Sequence, residues 1–167
     1  MDYLSHYDSP LGGMTMESDG KALTALRFDG PEQAGETPEH AGKGLPVFGQ
    51  TRRWLDIYFS GRDPGFTPEL GMRGTAFRKA VWEILRTIPF GETMTYGEVA
   101  RRLPRASARA VGGAAGHNPI ALIVPCHRVI GADGRLTGYA GGLERKARLL
   151  EMERQAAAVV PGDRVMV

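Results

Sequence analysis

Tight turns at Pro10–Gly13 and Asp19–Gly20 cut the first 28 residues into short extended runs, and regular helical spacing begins only near residue 47. Strands grouped at the start, with helices grouped after them, restrict the chain to the α+β class, because a parallel sheet needs a crossover between its strands. Tyr3–Tyr7, Met14–Glu17 and Ala22–Phe28 predict an antiparallel meander. The stretch 29–46, rich in Gly, Pro, Glu and His, is expected as a loop. Val47–Phe59 is expected as a helix stopped by Gly61, with Trp54, Leu55, Tyr58 and Phe59 turned to the core. Phe66–Leu70 is expected to add a strand. A boundary before Gly74 gives an N-terminal unit 1–73, a C-terminal unit 74–158 and a frayed tail 159–167.

In the second unit, Thr75 caps a helix on which Phe77, Val81, Trp82, Leu85 and Ile88 share a face, ended by Pro89 and Gly91. Thr95-Tyr96-Gly97-Glu98 has the form of a capping box and opens a short helix to about Leu103. Pro104 closes it, and Ser107 caps the next helix, Ala108 to about Gly116, giving a helix-turn-helix order. Arg101, Arg102, Arg105 and Arg109 fall within nine residues without an acid. The second helix is built from Ala110, Gly112, Gly113, Ala114 and Ala115, although each glycine costs about 1 kcal/mol against alanine. Such thinness suits close approach to a narrow nucleic-acid groove or close packing on a neighbouring helix.

Composition removes several function classes. A hydrophobic content of 42% supports a real core, yet no stretch is long enough to span a bilayer. Met1-Asp2-Tyr3-Leu4-Ser5-His6 has no signal-peptide character, so the cytoplasm is the expected location. One cysteine cannot form an internal disulfide, and His6, His40, His117 and His127 lack metal-ligand spacing, so no metal is expected. The net charge of +2 hides a split: residues 1–73 hold 7 Lys/Arg against 11 Asp/Glu, and residues 74–155 hold 13 against 7. A basic second half suits a polyanionic partner.

The cysteine sits in Ile123-Val124-Pro125-Cys126-His127-Arg128-Val129-Ile130, at the end of the apolar run Ile120 to Val124. A thiol reacts as thiolate, and cationic or proton-accepting neighbours with partial exposure favour that form, so Cys126 is a nucleophile candidate. The plainer reading is a buried cysteine that fills space. Downstream, Thr137-Gly138-Tyr139-Ala140-Gly141-Gly142 is a glycine-dense loop suited to backbone contacts with a ligand. The last helix, Leu143 to about Gln155, is expected to turn Leu143, Ala147, Leu150 and Glu153 inward and leave Arg145, Lys146 and Arg148 exposed.

Together, Thr95-Tyr96-Gly97-Glu98, Ala108-Arg109-Ala110-Val111-Gly112, Pro125-Cys126-His127-Arg128-Val129-Ile130 and Thr137–Leu143 resemble the O6-alkylguanine-DNA alkyltransferases. The likeness is continuous over about residues 74–153; the N-terminal half matches mainly in strand pattern and position. The resemblance implies a ribonuclease-H-like sheet and helix followed by a winged-helix-like catalytic domain. It implies no cofactor, alkylated double-stranded DNA as partner, and a monomer able to cluster on DNA. The reaction it implies is irreversible, single-turnover transfer of the alkyl group from O6-alkylguanine, and from O4-alkylthymine, to Cys126.

By the same resemblance, His127 takes the thiol proton through a water while Glu153 orients the imidazole, a buried acid favouring the protonated ring. Tyr96 assists O6 as the guanine leaves, and Asn118 supports the thiolate region. The Cys126 and Val129 carbonyls, with Tyr139 and Ala140, contact the base. Arg109 fills the gap left by a flipped nucleotide, Thr95, Ala110, Gly112 and Gly113 lie along the DNA, and Arg101, Arg102 and Arg105 offer phosphate contacts. Arg128 is expected in a structural salt bridge or backbone contact. The turn Leu103–Ala106 lacks the family's usual Asn-Pro-Lys run, and Ala115 and Ala140 are smaller than in some relatives, which predicts a wider pocket. Three rival readings stand beside this one. A lesion-binding relative would lack the nucleophile, a helix-turn-helix regulator would need more base-reading side chains, and a cysteine hydrolase would need an oxyanion-hole motif.

Overall fold

A computed structural model describes residues 2–30 and 44–158; most of the 29–46 loop and the 159–167 tail lie outside the described residues. Strands β1 (Tyr3–Ser9), β2 (Gly12–Ser18) and β3 (Leu23–Phe28) form an antiparallel sheet in that order. The β1–β2 hairpin pairs Tyr3 with Ser18 through to Ser9 with Gly12, whose φ of 123° follows a two-residue turn and favours glycine. The far edge of β3 is covered by the chain itself. Leu23 bridges Leu70, and Leu26 bridges Ile120 through Leu26 N–H to Pro119 O at 2.9 Å and Ala121 N–H to Leu26 O at 2.8 Å. The strand expected over 66–70 therefore shrinks to the single bridge at Leu70, held by Leu23 N–H to Glu69 O and Gly71 N–H to Leu23 O, both at 2.8 Å.

Helix α1 (Pro46–Phe59) buries Val47, Phe48, Thr51, Trp54, Leu55 and Tyr58, and Trp54 stacks on Tyr58 with centroids 5.2 Å apart. Phe59 lies only half-buried at its end. Helix α2 (Ala76–Leu85) starts as the sequence predicts, the Thr75 hydroxyl accepting from Arg78 N–H at 3.2 Å. Its first turn projects beyond the core, which leaves Phe77 38% exposed rather than inward.

Strand β4 (Met94–Thr95) pairs in parallel with β5 (Val129–Ile130). Helix α3 (Tyr96–Ala100) carries the full capping box: the Thr95 hydroxyl accepts from Glu98 N–H at 3.0 Å, and the Glu98 carboxylate from Thr95 N–H at 3.1 Å. Two such contacts satisfy donors that the helix itself leaves unpaired. Arg105, at φ 57°, forms the corner that leads to Ser107 and α4 (Ala108–Gly116).

Helix α5 (Leu143–Ala157) turns Lys146, Leu149, Leu150 and Glu153 inward. The expected inner face is thus corrected: Leu143 and Ala147 are exposed, and Lys146 is fully buried. One core runs through both halves, from Met16, Leu26 and Leu55 to Trp82, Ile120 and Leu149.

Candidate active site

Cys126, His127 and Arg128 form a single 3-10 turn whose position is fixed by Asn118. The Asn118 amide donates to Val124 O at 2.8 Å, and its carbonyl accepts from Ile120 N–H at 3.0 Å, so one side chain closes the loop before the cysteine. Within that loop Leu122 is buried at φ 68°, a left-handed conformation uncommon for a leucine and tolerated where surrounding contacts over-determine the backbone.

Behind the turn, Glu153 gathers five donors. Its carboxylate accepts from His127 Nε2 at 2.6 Å, Arg128 Nε at 2.8 Å and Nη2 at 3.2 Å, the Tyr58 hydroxyl at 2.5 Å, and Gly91 N–H at 3.1 Å. Arg128 also donates to Ile88 O at 2.7 Å, which makes it the structural contact expected of it. Burial opposes ionisation of Glu153, but the hydrogen bond and charge of His127, joined by those of Arg128, hold the carboxyl down at about 2. Burial pushes the His127 imidazole down as well, against the pull of Glu153, and Arg128 and Lys146 add to the depression. Desolvation thus outweighs the pull of the acid toward the protonated ring, and Arg128 is a second cation beside Glu153. With Nε2–H given to Glu153, Nδ1 is left as the basic nitrogen, buried and without a partner among the described residues.

Cys126 is partly exposed at a pocket of about 60 Å³ walled by Phe28, Ala115, Asn118, Tyr139 and Ala140. Burial pushes its thiol up, while Asn118 and the charge of Lys146 pull it back. Lys146 Nζ donates to Thr137 O at 2.7 Å and lies 5.8 Å from the centre of the Tyr96 ring. The Tyr96 hydroxyl donates to the same Thr137 oxygen at 3.3 Å. Burial lowers the Lys146 ammonium, and Cys126 opposes that shift. The Tyr139 hydroxyl is buried with no partner among the described residues, and burial raises it well above the usual phenol range. Sequence reasoning missed Tyr58, Gly91 and Lys146. A signal for the last existed, since Lys146 stands seven residues, two helical turns, before Glu153.

Helix α4 presents a second concavity of about 500 Å³, lined by Arg109, Gly112 and Gly116 together with Tyr96, Thr137 and Tyr139. Its inward small residues serve close packing, and its outer glycines face open space. Ala114 and Ala115 pack inward, Ala114 O accepting from Trp82 Nε1 at 2.9 Å, while a Cβ on Gly113 or Gly116 would meet nothing within 4 Å. Arg101, Arg102, Arg105, Arg109 and Ala110 are exposed, but of these Arg109 alone lines this concavity. Thr95 is occupied as the α3 cap, and Val129 is buried in β5 with its backbone paired to Met94.

Two family models match the chain: the DNA binding domain of 6-O-methylguanine DNA methyltransferase over residues 76–155, and its ribonuclease-like domain over residues 3–70. A methylated-DNA--protein-cysteine methyltransferase of Mycobacterium bovis is 49% identical over 157 residues, covering 91% of this chain and 94% of that protein. One of Haemophilus influenzae is 44% identical, covering 91% of this chain and 86% of its own. The crystal structure of Mycobacterium tuberculosis O6-methylguanine methyltransferase superposes with a TM-score of 0.81 at 45% identity over 99% of each chain. The Mycobacterium tuberculosis OGT structure in complex with DNA superposes with a TM-score of 0.77 over 96% of each.

Proposed function

The chain belongs to the 6-O-methylguanine DNA methyltransferase family, and from that premise we propose that Cys126 receives the alkyl group, with His127, Glu153, Asn118 and Tyr96 as its working partners. The activity itself is repair of DNA by transfer of an alkyl group from an alkylated base to a protein cysteine. What carries the residue assignment is the 2.6 Å contact between Glu153 and His127, next in sequence to the chain's one cysteine.

In this reading the thiol proton passes through a water to His127 Nδ1, and the imidazolium forms against an ionised Glu153. The sulfur attacks the alkyl carbon, the bond from that carbon to O6 breaks, and its electron pair stays with the guanine. Tyr96, leaving Thr137 O, hydrogen-bonds the departing base. The product thioether has no route back to thiol, so each molecule acts once. Asn118 keeps Cys126 in line, and the Cys126 and Val129 carbonyls, Tyr139 and Ala140 line the base.

A base stacked in duplex DNA cannot present O6 to a thiol at a pocket floor, so the nucleotide flips, and Arg109 enters the gap from α4. Thr95, Ala110, Gly112 and Gly113 follow the backbone, and Arg101, Arg102 and Arg105 meet phosphates. Arg109→Ala is expected to slow transfer from duplex DNA roughly 100-fold, the cost of an unfilled stack, while sparing the free base O6-benzylguanine. Equal losses on both substrates would remove the stack-filling role. Because Ala115 and Ala140 wall the thiol pocket, benzyl adducts are expected to react at least as fast as methyl ones. A benzyl rate roughly ten-fold lower would show that the pocket is not widened.

Residues 1–73 serve as the supporting unit and 74–158 as the reactive one, and O4-alkylthymine is a further substrate. No helix among the described residues is long and apolar enough to cross a membrane. A cytoplasmic location, and a monomer that clusters on DNA, complete the reading. Intact-protein mass spectrometry with peptide mapping tests it, after mixing with duplex DNA carrying one O6-methylguanine. One methyl per molecule, on Cys126, is the expected result; tight lesion binding without modification would favour a recognition protein.

A further inference from the structure

Arg145 belongs to α5, yet it touches both the N-terminal hairpin and the loop beside the thiol. Its Nε donates to Leu11 O, in the β1–β2 turn, at 2.9 Å, and its Nη1 donates to Gly141 O at 3.2 Å. The guanidinium lies 4.6 Å from the centre of the Phe28 ring. No carboxylate among the described residues forms an ion pair with it, so its fork serves two backbone carbonyls and one aromatic face. The approach is close. A Cβ on Gly12 would stand 2.6 Å from Nη2.

From Arg145 the contacts run on to the reactive cysteine. A Cβ on Gly141 would meet the Phe28 ring at 3.0 Å and the Tyr139 ring at 2.7 Å, so the glycine is wedged between two aromatic faces. Tyr139 in turn lies edge-on to His127, with centroids 6.5 Å apart. Phe28, Tyr139, Ala140 and Gly141 all wall the pocket that holds Cys126. Without the Arg145 fork, the loop from Tyr139 to Gly142 keeps its internal bond from Gly142 N–H to Tyr139 O at 2.9 Å. It loses its tie to the sheet.

We infer that Arg145 is a positioning residue for alkyl transfer, fastening the Gly141 backbone to the Leu11 turn and so letting the N-terminal sheet set the wall opposite Cys126. The inference rests on the transfer reading above and gives the first unit a defined part in the reaction. Arg145 touches neither the thiol nor its base, so its loss acts on where the substrate sits and not on how readily the thiol ionises.

Arg145→Met keeps the stem over Phe28 and removes the donors. Transfer from an O6-methylguanine duplex is expected to slow roughly ten-fold, the scale of a small misplacement at a reacting centre. The pH profile of Cys126 labelling by iodoacetamide is expected to stay unchanged, and amide hydrogen exchange over Tyr139–Gly142 to quicken. Arg145→Lys, which reaches one carbonyl, should recover part of the rate. Transfer by Arg145→Met at the wild-type rate, or a loss matched by a shifted labelling profile, would overturn the inference. If Arg145→Met does not fold, a wild-type rate in Arg145→Lys overturns it equally. Absence of transfer by the wild-type protein run in parallel would instead sink the functional reading.

Discussion

Cys126→Ser is expected to abolish alkyl transfer, a loss on the order of 10⁶-fold, while leaving binding to lesion-bearing duplex DNA within about two-fold of wild type. A hydroxyl in the same place ionises far less readily, and burial has already pushed the thiol up, so an alkoxide has no means of forming. The substitution keeps the shape of the 3-10 turn and leaves Arg109 on α4 and the exposed arginines between α3 and α4 untouched. Stopped-flow binding beside quantitative mass spectrometry separates the two effects. A methylated Cys126→Ser protein would move the acceptor to another residue. In the wild type, burial lowers His127 from 6.5, so transfer should hold through the ordinary imidazole range and decline only at lower pH, where a protonated ring can no longer accept a proton from the thiol.

Glu153→Gln has the next largest consequence and acts on stability as well as rate. It removes the charge opposite a buried Arg128 and weakens contacts to three other groups, and breaking one side of a buried pair costs about 3–5 kcal/mol. Transfer should fall roughly 100-fold, because the imidazolium would form without its counter-charge. The pH dependence has a fixed sign. The Glu153 carboxyl is lowered in the folded chain from 4.5 to about 2, so its stabilisation is complete above 4.5 and is lost as the pH drops from 4.5 toward 2. Urea melts of wild type and Glu153→Gln should converge across that interval and differ most at neutral pH. Identical midpoints at pH 7 would show that the carboxylate organises nothing.

Local features were readable from the chain alone. The caps at Thr75, Thr95 and Ser107 depend on a hydroxyl and an amide three residues later, and all three form as spaced. The hairpins follow from their turn residues. What escaped were side chains whose role is set by partners far away in sequence. Tyr58 reads as one more core aromatic until Glu153, 95 residues on, meets its hydroxyl. Arg145 reads as a solvated cation until a carbonyl 134 residues earlier accepts from it. The face of α5 was misjudged because a hydrophobic pattern has no way to register a buried lysine, and Lys146 defines that face as much as Leu149 does.

The bridge between Leu26 and Ile120 and the bond from Tyr58 to Glu153 also set an order of events during synthesis. Both close loops of more than 90 residues, and long-range closures form late and slowly. A nascent chain that has released the cysteine still lacks the carboxylate that fixes its base, because Glu153 emerges 27 residues after Cys126. On the proposed proton route, chemical competence arrives only with the final helix, and a chain truncated before it is expected to carry an inert thiol.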